Sequence, residues 1–92
     1  MNLPRTQDEI FAALREIAAA RPSNKFELRD LESRCVALSQ HLAAHGDLAD
    51  QIPELVWHFL SDADIRFKDQ RYADLQLSQM SVFLSSGGSN AA

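Results

Sequence analysis

Through most of its length this chain returns to an apolar residue every three or four positions, a spacing that packed α-helices satisfy. Ile10, Phe11, Leu14, Ile17 and Ala18 form one stripe, and Leu28, Leu31, Cys35, Leu38 and Leu42 form a narrower seam. Ile52, Val56, Phe59, Leu60, Ala63 and Phe67 make a third stripe with Leu55 on its edge. A helix turns about 100° per residue, so each set lies on one face and requires a neighbour to cover it. The spacing predicts an all-α fold: a small bundle of three to four helices, up-down, with dimerisation as a means of completing it.

Boundaries follow from capping chemistry. Thr6 precedes Glu9 by three residues, the interval at which each side chain bonds the other's backbone N–H, so the first helix is expected to start there and end near Ala20. Asn24 and Glu27 repeat the pattern for a second helix, expected to end at Gly46 in the left-handed C′ position with His45 in its last turn. Pro53 is tolerable only in a first turn, which makes Asp50 the expected cap of a third helix. A turn is expected at Lys68-Asp69-Gln70, with Asp69 capping a fourth helix. In that fourth helix Tyr72, Leu75, Val82 and Phe83 fall on one side and Ala73, Leu77, Met80 and Leu84 on the other. The glycine- and serine-rich end is expected to be disordered, giving a single helical domain over 1–86 and a tail over 87–92. No internal repeat is visible.

Length and charge narrow the function classes. The 92 residues suffice for one domain. A chain this short buries only about 60 to 65% of its unfolded surface, which favours self-association as a source of stability. At 46% apolar and 24% charged it is a folding sequence. Its 13 acidic against 9 basic residues give a net charge of −4, a field that repels phosphate and anionic lipid, so neither nucleic acid nor membrane is an expected partner. The one cysteine, Cys35, has no intramolecular disulfide partner. Met1-Asn2-Leu3-Pro4-Arg5 lacks the apolar run of a signal peptide, and a cytoplasmic setting is expected.

Chemistry-bearing residues are sparse. His41 and His45 stand at a spacing that lets two imidazoles share a metal, with His58 as a third candidate, but no Cys-x-x-Cys or His-Glu-x-x-His accompanies them. Cys35 sits in the seam, where a thiol behaves as a small hydrophobe. Asp62 with Arg66, and Asp64 with Lys68, have the i, i+4 spacing of a solvated, ion-paired helix face. No nucleophile, base and oxyanion donor can be named together, so no enzyme and no cofactor is expected.

The surplus apolar residues are more informative. Trp57 lies off its stripe on the side of Ile65 and Tyr72, Val36 and Ala43 lie off the seam, and the Leu77, Met80 and Leu84 face of the last helix is expected to be uncovered. Aromatic and methionine side chains outside a closed core are typical interface anchors. The run Phe67-Lys68-Asp69-Gln70-Arg71-Tyr72-Ala73 is similar to the turn of a tetratricopeptide repeat, but Leu75 and Gln79 stand where that repeat has small residues, and no function is carried over. The expected function is a non-enzymatic protein–protein interaction module, a homodimer or a small adaptor, chaperone or immunity-type binder, using Trp57, Ile65, Tyr72, Leu77, Met80 and Leu84. A small metal-binding helical protein is the alternative.

Overall fold

The first helix, α1 (Gln7–Ala19), begins where Thr6 and Glu9 close a reciprocal capping box: Glu9 N–H donates to Thr6 Oγ1 at 3.2 Å and Thr6 N–H to Glu9 Oε1 at 3.0 Å. The structure is a computed structural model that describes residues 4–89, with side chains described as far as Ser85. After α1 come α2 (Lys25–Ala43), α3 (Gly46–Ala49), α4 (Glu54–Ser61), α5 (Ala63–Lys68) and α6 (Gln70–Ser89), and no strand occurs among the described residues. The chain is all-helical. None of these helices is long and apolar enough to cross a membrane.

At α2 only half of the expected box forms. Asn24 Oδ1 accepts from Glu27 N–H at 2.9 Å, but the Glu27 carboxylate reaches one residue further back, to the N–H and hydroxyl of Ser23.

The middle of the chain departs from the expected three or four helices. Gly46 does not end α2 in a left-handed turn, because no glycine among the described residues has positive φ. Instead Ala44 stays right-handed, His45 turns extended, and Gly46 opens the single turn of α3, which buries Leu48. Asp50 closes α3 rather than capping the next helix, and Pro53 itself occupies the N-cap of α4, where its locked φ fits and no N–H is required. A second break falls at Asp62, which separates α4 from α5. Asp69 acts as expected: its carboxylate accepts from Tyr72 N–H at 3.2 Å and starts α6 after a turn. That helix is described as far as Ser89, past the expected end at Ser86. Residues 90–92 of the expected tail lie outside the described residues.

The packing closes in a ring. The α4–α5 pair touches both α2 and α6, and α1 touches α6 and α2. The Cα radius of gyration is 12.9 Å, near the ~12 Å of a compact domain of this length. Inside the ring the seam residues of α2 meet Ile10, Phe11, Leu14 and Ile17 of α1 and Val56, Phe59, Leu60 and Ala63 of the third side. Phe11 and Phe83 lie 5.1 Å apart at a tilted angle and join α1 to α6.

The face of α6 expected to be uncovered is buried, while on the other side Phe83 packs on the core and Leu75 and Val82 turn outward. Met80 is fully buried, Leu84 is buried, and Leu77 packs against the core, whereas Leu75 and Val82 are exposed at 56% and 69%. The two sides carry similar apolar content, and what distinguishes them is a polar network described below. Phe67 also leaves the core, exposed at 37%, because the break at Asp62 resets the helical phase after Ala63.

Candidate functional site

The break at Asp62 exists because its carboxylate turns inward. Asp62 Oδ2 accepts from the Tyr72 hydroxyl at 2.6 Å and from Gln76 Nε2 at 2.8 Å, both on α6. Arg66 completes the set, donating from Nη1 to Gln76 Oε1 at 2.7 Å and to the Phe59 carbonyl, with its guanidinium carbon 4.0 Å above the Phe59 ring centroid. Gln76, 4% exposed, is thereby satisfied at both ends of its amide. Burial pulls the Arg66 pKa below its usual value, while its bond to Asp62 holds the Tyr72 hydroxyl's pKa up. The solvated Asp62/Arg66 pair read from the i, i+4 spacing is corrected here. The i, i+4 backbone bond from Arg66 N–H to the Asp62 carbonyl does form, at 3.0 Å, but Asp62 is the N-cap of α5 and its carboxylate turns to α6, so the two side chains are joined through Gln76 instead. Asp64 and Lys68 do pair on the surface, at 3.2 Å.

Next to this network lies a cleft of about 250 Å³ bounded by the end of α1, the turn into α2, α5 and α6. Its apolar lining includes Ile17, Ala20, Leu31, Ala63, Ala73 and Leu77, and Arg66 and Arg21 stand on its wall. Arg21 is held by Nη1 bonds to the carbonyls of Ala18 at 2.6 Å and Ala20 at 3.0 Å, capping the end of α1. A second, shallower cleft continues past Ala20, Arg21, Pro22 and Leu31 to Phe26 and Arg34. Phe67 borders the first cleft and Phe26, exposed at 83%, borders the second.

The residues singled out from the sequence are not brought together. Trp57 is half-buried and packs on the core, Tyr72 is half-buried in the Asp62 network, and Ile65 is exposed at 45% on α5. Met80 and Leu84 are interior, so neither presents a side chain to a partner, and Leu77 lines the cleft from within. Phe26 was missed although a signal existed. It stands two residues before Leu28, off the α2 seam, by the same test that singles out Val36, which is indeed exposed at 52%.

The histidine pair is engaged locally. A carbonyl only accepts, so His41 Nε2–H donates to the Pro4 carbonyl and His45 Nδ1–H donates to the His41 carbonyl at 2.8 Å. The rings lie 4.6 Å apart. His58 is on α4, facing Glu54 at 3.4 Å. Among the described residues no group of three or more His, Cys, Asp or Glu side chains is placed to hold a metal ion. Cys35 is buried at the seam, and burial pushes its thiol pKa up, away from the nucleophilic thiolate.

No protein family, no curated protein and no solved structure matches this chain.

Proposed function

We propose that this chain is a non-enzymatic protein-binding module whose contact surface is the grooved patch between Phe26 and Phe67. One observation carries the reading. Two exposed phenylalanines border adjoining clefts that share Ala20, Arg21, Pro22 and Leu31. Aromatic and arginine side chains grouped around a hollow are the residue types that supply most of the free energy of protein interfaces. Covering a phenylalanine contributes about 1.5 to 3 kcal/mol before ordering costs. The net charge of −4 weighs against nucleic acid and anionic membranes as partners, and a single buried thiol suits a reducing, cytoplasmic setting.

A second surface favours self-association. Leu75 and Val82 stand seven residues apart on the outward face of α6, the interval at which two helices pair along a seam. Wild type, Phe26→Ser/Phe67→Ser and Leu75→Ser/Val82→Ser are compared by sedimentation over an about tenfold concentration range and by cross-linked capture of partners. The expected result is that the phenylalanine variant loses its capture or its association while keeping the wild-type helical signal and melting midpoint. Equal capture and an unchanged monomer for all three proteins overturn the reading.

A further inference from the structure

Two guanidiniums at the wall of one apolar cleft, neither ion-paired to a carboxylate among the described residues, require an explanation. Arg66 spends Nη1 on the Phe59 carbonyl and the Gln76 amide oxygen, and Arg21 spends Nη1 on the carbonyls of Ala18 and Ala20. All four acceptors are neutral. The ion pairs formed among the described residues are Arg34 with Glu16, His58 with Glu54 and Lys68 with Asp64, none of which involves either arginine. The Asp62 and Arg66 side chains meet through Gln76, while the Arg66 N–H donates to the Asp62 carbonyl at 3.0 Å and the Asp62 carboxylate supports the guanidinium charge without pairing with it. Burial is the largest influence against the Arg66 charge, and Arg21 opposes it more weakly.

A guanidinium carries five N–H donors in a planar fork that matches a carboxylate. The bonds described for each arginine use Nη1 alone. Beside them the cleft is apolar, with Ile17, Leu31 and Leu77 among its lining, and its volume of about 250 Å³ lies below the ~300 to 1,000 Å³ of pockets that enclose whole small molecules. It is the size for one large side chain. An apolar side chain and a carboxylate on the same residue is the chemistry of a polypeptide's C-terminal end. The adjoining cleft toward Phe26 then offers a track for the residues before it.

Resting on the reading of this patch as a protein-contact surface, we propose that the cleft receives the C-terminal residue of a partner polypeptide, its apolar side chain seated among Ile17, Leu31 and Leu77 and its carboxylate held by Arg21 and Arg66. The complementarity of charge is confined to the first cleft, whose lining holds Arg21 and Arg66 and no carboxylate, whereas the second carries Glu27 and Asp30 beside Arg34.

The test is a titration of the full chain, followed by amide and side-chain NMR shifts, with three probes: N-acetyl-phenylalanine, its C-terminal amide, and a short uncharged peptide ending in phenylalanine with a free carboxylate. Shifts are expected at Ile17, Leu31, Leu77 and Arg66, saturating in the millimolar range for the single residue. The amide is expected to bind at least about tenfold more weakly, the loss of a charge-assisted pair. The peptide is expected to bind at least about tenfold more tightly than the single residue, because it also covers the second cleft. Arg21→Gln, which also gives up the bonds to the Ala18 and Ala20 carbonyls, is expected to abolish the preference for the acid over the amide while the helical signal is kept. Absence of shifts at these residues, equal binding of acid and amide, or an unchanged preference in Arg21→Gln overturns the proposal. Equal binding of peptide and single residue also overturns it, in favour of a free small acid. If partner capture still depends on Phe26 and Phe67 while the carboxylate preference is absent, only this inference fails and the interaction surface stands.

Discussion

Helices α2 and α6 are almost equal in length, 19 and 20 residues, yet they are held by different means. Between Lys25 and Ala43 charged residues surround one narrow seam, and all five seam side chains are buried. Along α6 the charged residues are Arg71 and Asp74, and its described residues are apolar on two sides. It is oriented by Tyr72 and Gln76, which bond Asp62 and Arg66 across the ring. A helix with one apolar face is placed by pattern alone, whereas a helix with two needs a directional contact to choose between them.

The largest effect that tests this contrast is at Met80, fully buried. Met80→Ser is expected to cost about 2 to 5 kcal/mol, a fall in melting midpoint on the order of 10 °C or more. Leu38→Ser in the α2 seam should cost as much. A midpoint for Met80→Ser within a degree or two of wild type places α6 the other way round.

Next is the directional contact. Gln76→Leu leaves Asp62 and Arg66 short of a partner in a half-buried setting and is expected to cost about 1 to 3 kcal/mol by urea unfolding. In a double-mutant cycle it should couple with Tyr72→Phe, since both donate to Asp62 Oδ2. Simple additivity breaks the claim that these residues act as one lock.

The caps should make the two helices alike. Asn24→Ala and Asp69→Ala each remove an acceptor for an N3 amide and are expected to cost about 1 kcal/mol. A tertiary role for Asp69 would show as a markedly larger loss there.

Acid distinguishes the helix starts further. Glu9 and Glu27 are held below the usual carboxylate pKa, chiefly by backbone bonds from Arg5 and Thr6 in one case and from Ser23 in the other. Because the folded values are lowered, this contribution is present above the ordinary value of about 4.3 and is lost as pH falls through the lowered folded values. Helical signal followed from pH 6 to 2 should therefore decline less steeply in Glu9→Gln/Glu27→Gln than in wild type, from a lower starting stability. Parallel profiles break the assignment.

The smallest effect is on the outward face of α6. Leu75→Ser and Val82→Ser are expected to change monomer stability by no more than about 0.5 kcal/mol in dilute solution. A larger loss that grows with protein concentration sharpens the case for self-association through this face.

What the sequence discloses follows the same division. The stripes of α1 and α2, both N-terminal caps and the turn at Asp69 are local, so residues within about four positions of one another settle them. The break at Asp62 is not local, since it depends on Tyr72 and Gln76, which lie ten and fourteen residues on. Once the break is missed, Phe67 is assigned to the core, and without Tyr72 and Gln76 the Asp62/Arg66 spacing reads as a surface pair. The orientation of α6 fails for a related reason: Met80 and Leu84 against Leu75 and Val82 is an even contest by hydropathy, and Gln76 decides it. Of the candidate site, Phe26 was legible as an off-seam aromatic. The cleft was not, because its wall combines Arg21 from a turn with Arg66 from a helix whose phase the break alters.

The bond from His41 to the Pro4 carbonyl ties the segment ahead of α1 to the later part of α2, with Pro4 buried. Helix ends ordinarily fray, and their amides exchange with solvent through small local openings. Here the first turn of α1 is pinned ahead of its own cap to a helix in the core. The amides of Ile10 and Phe11 should then exchange only when α1 and α2 come apart together, making the start of α1 part of the slowest-opening unit.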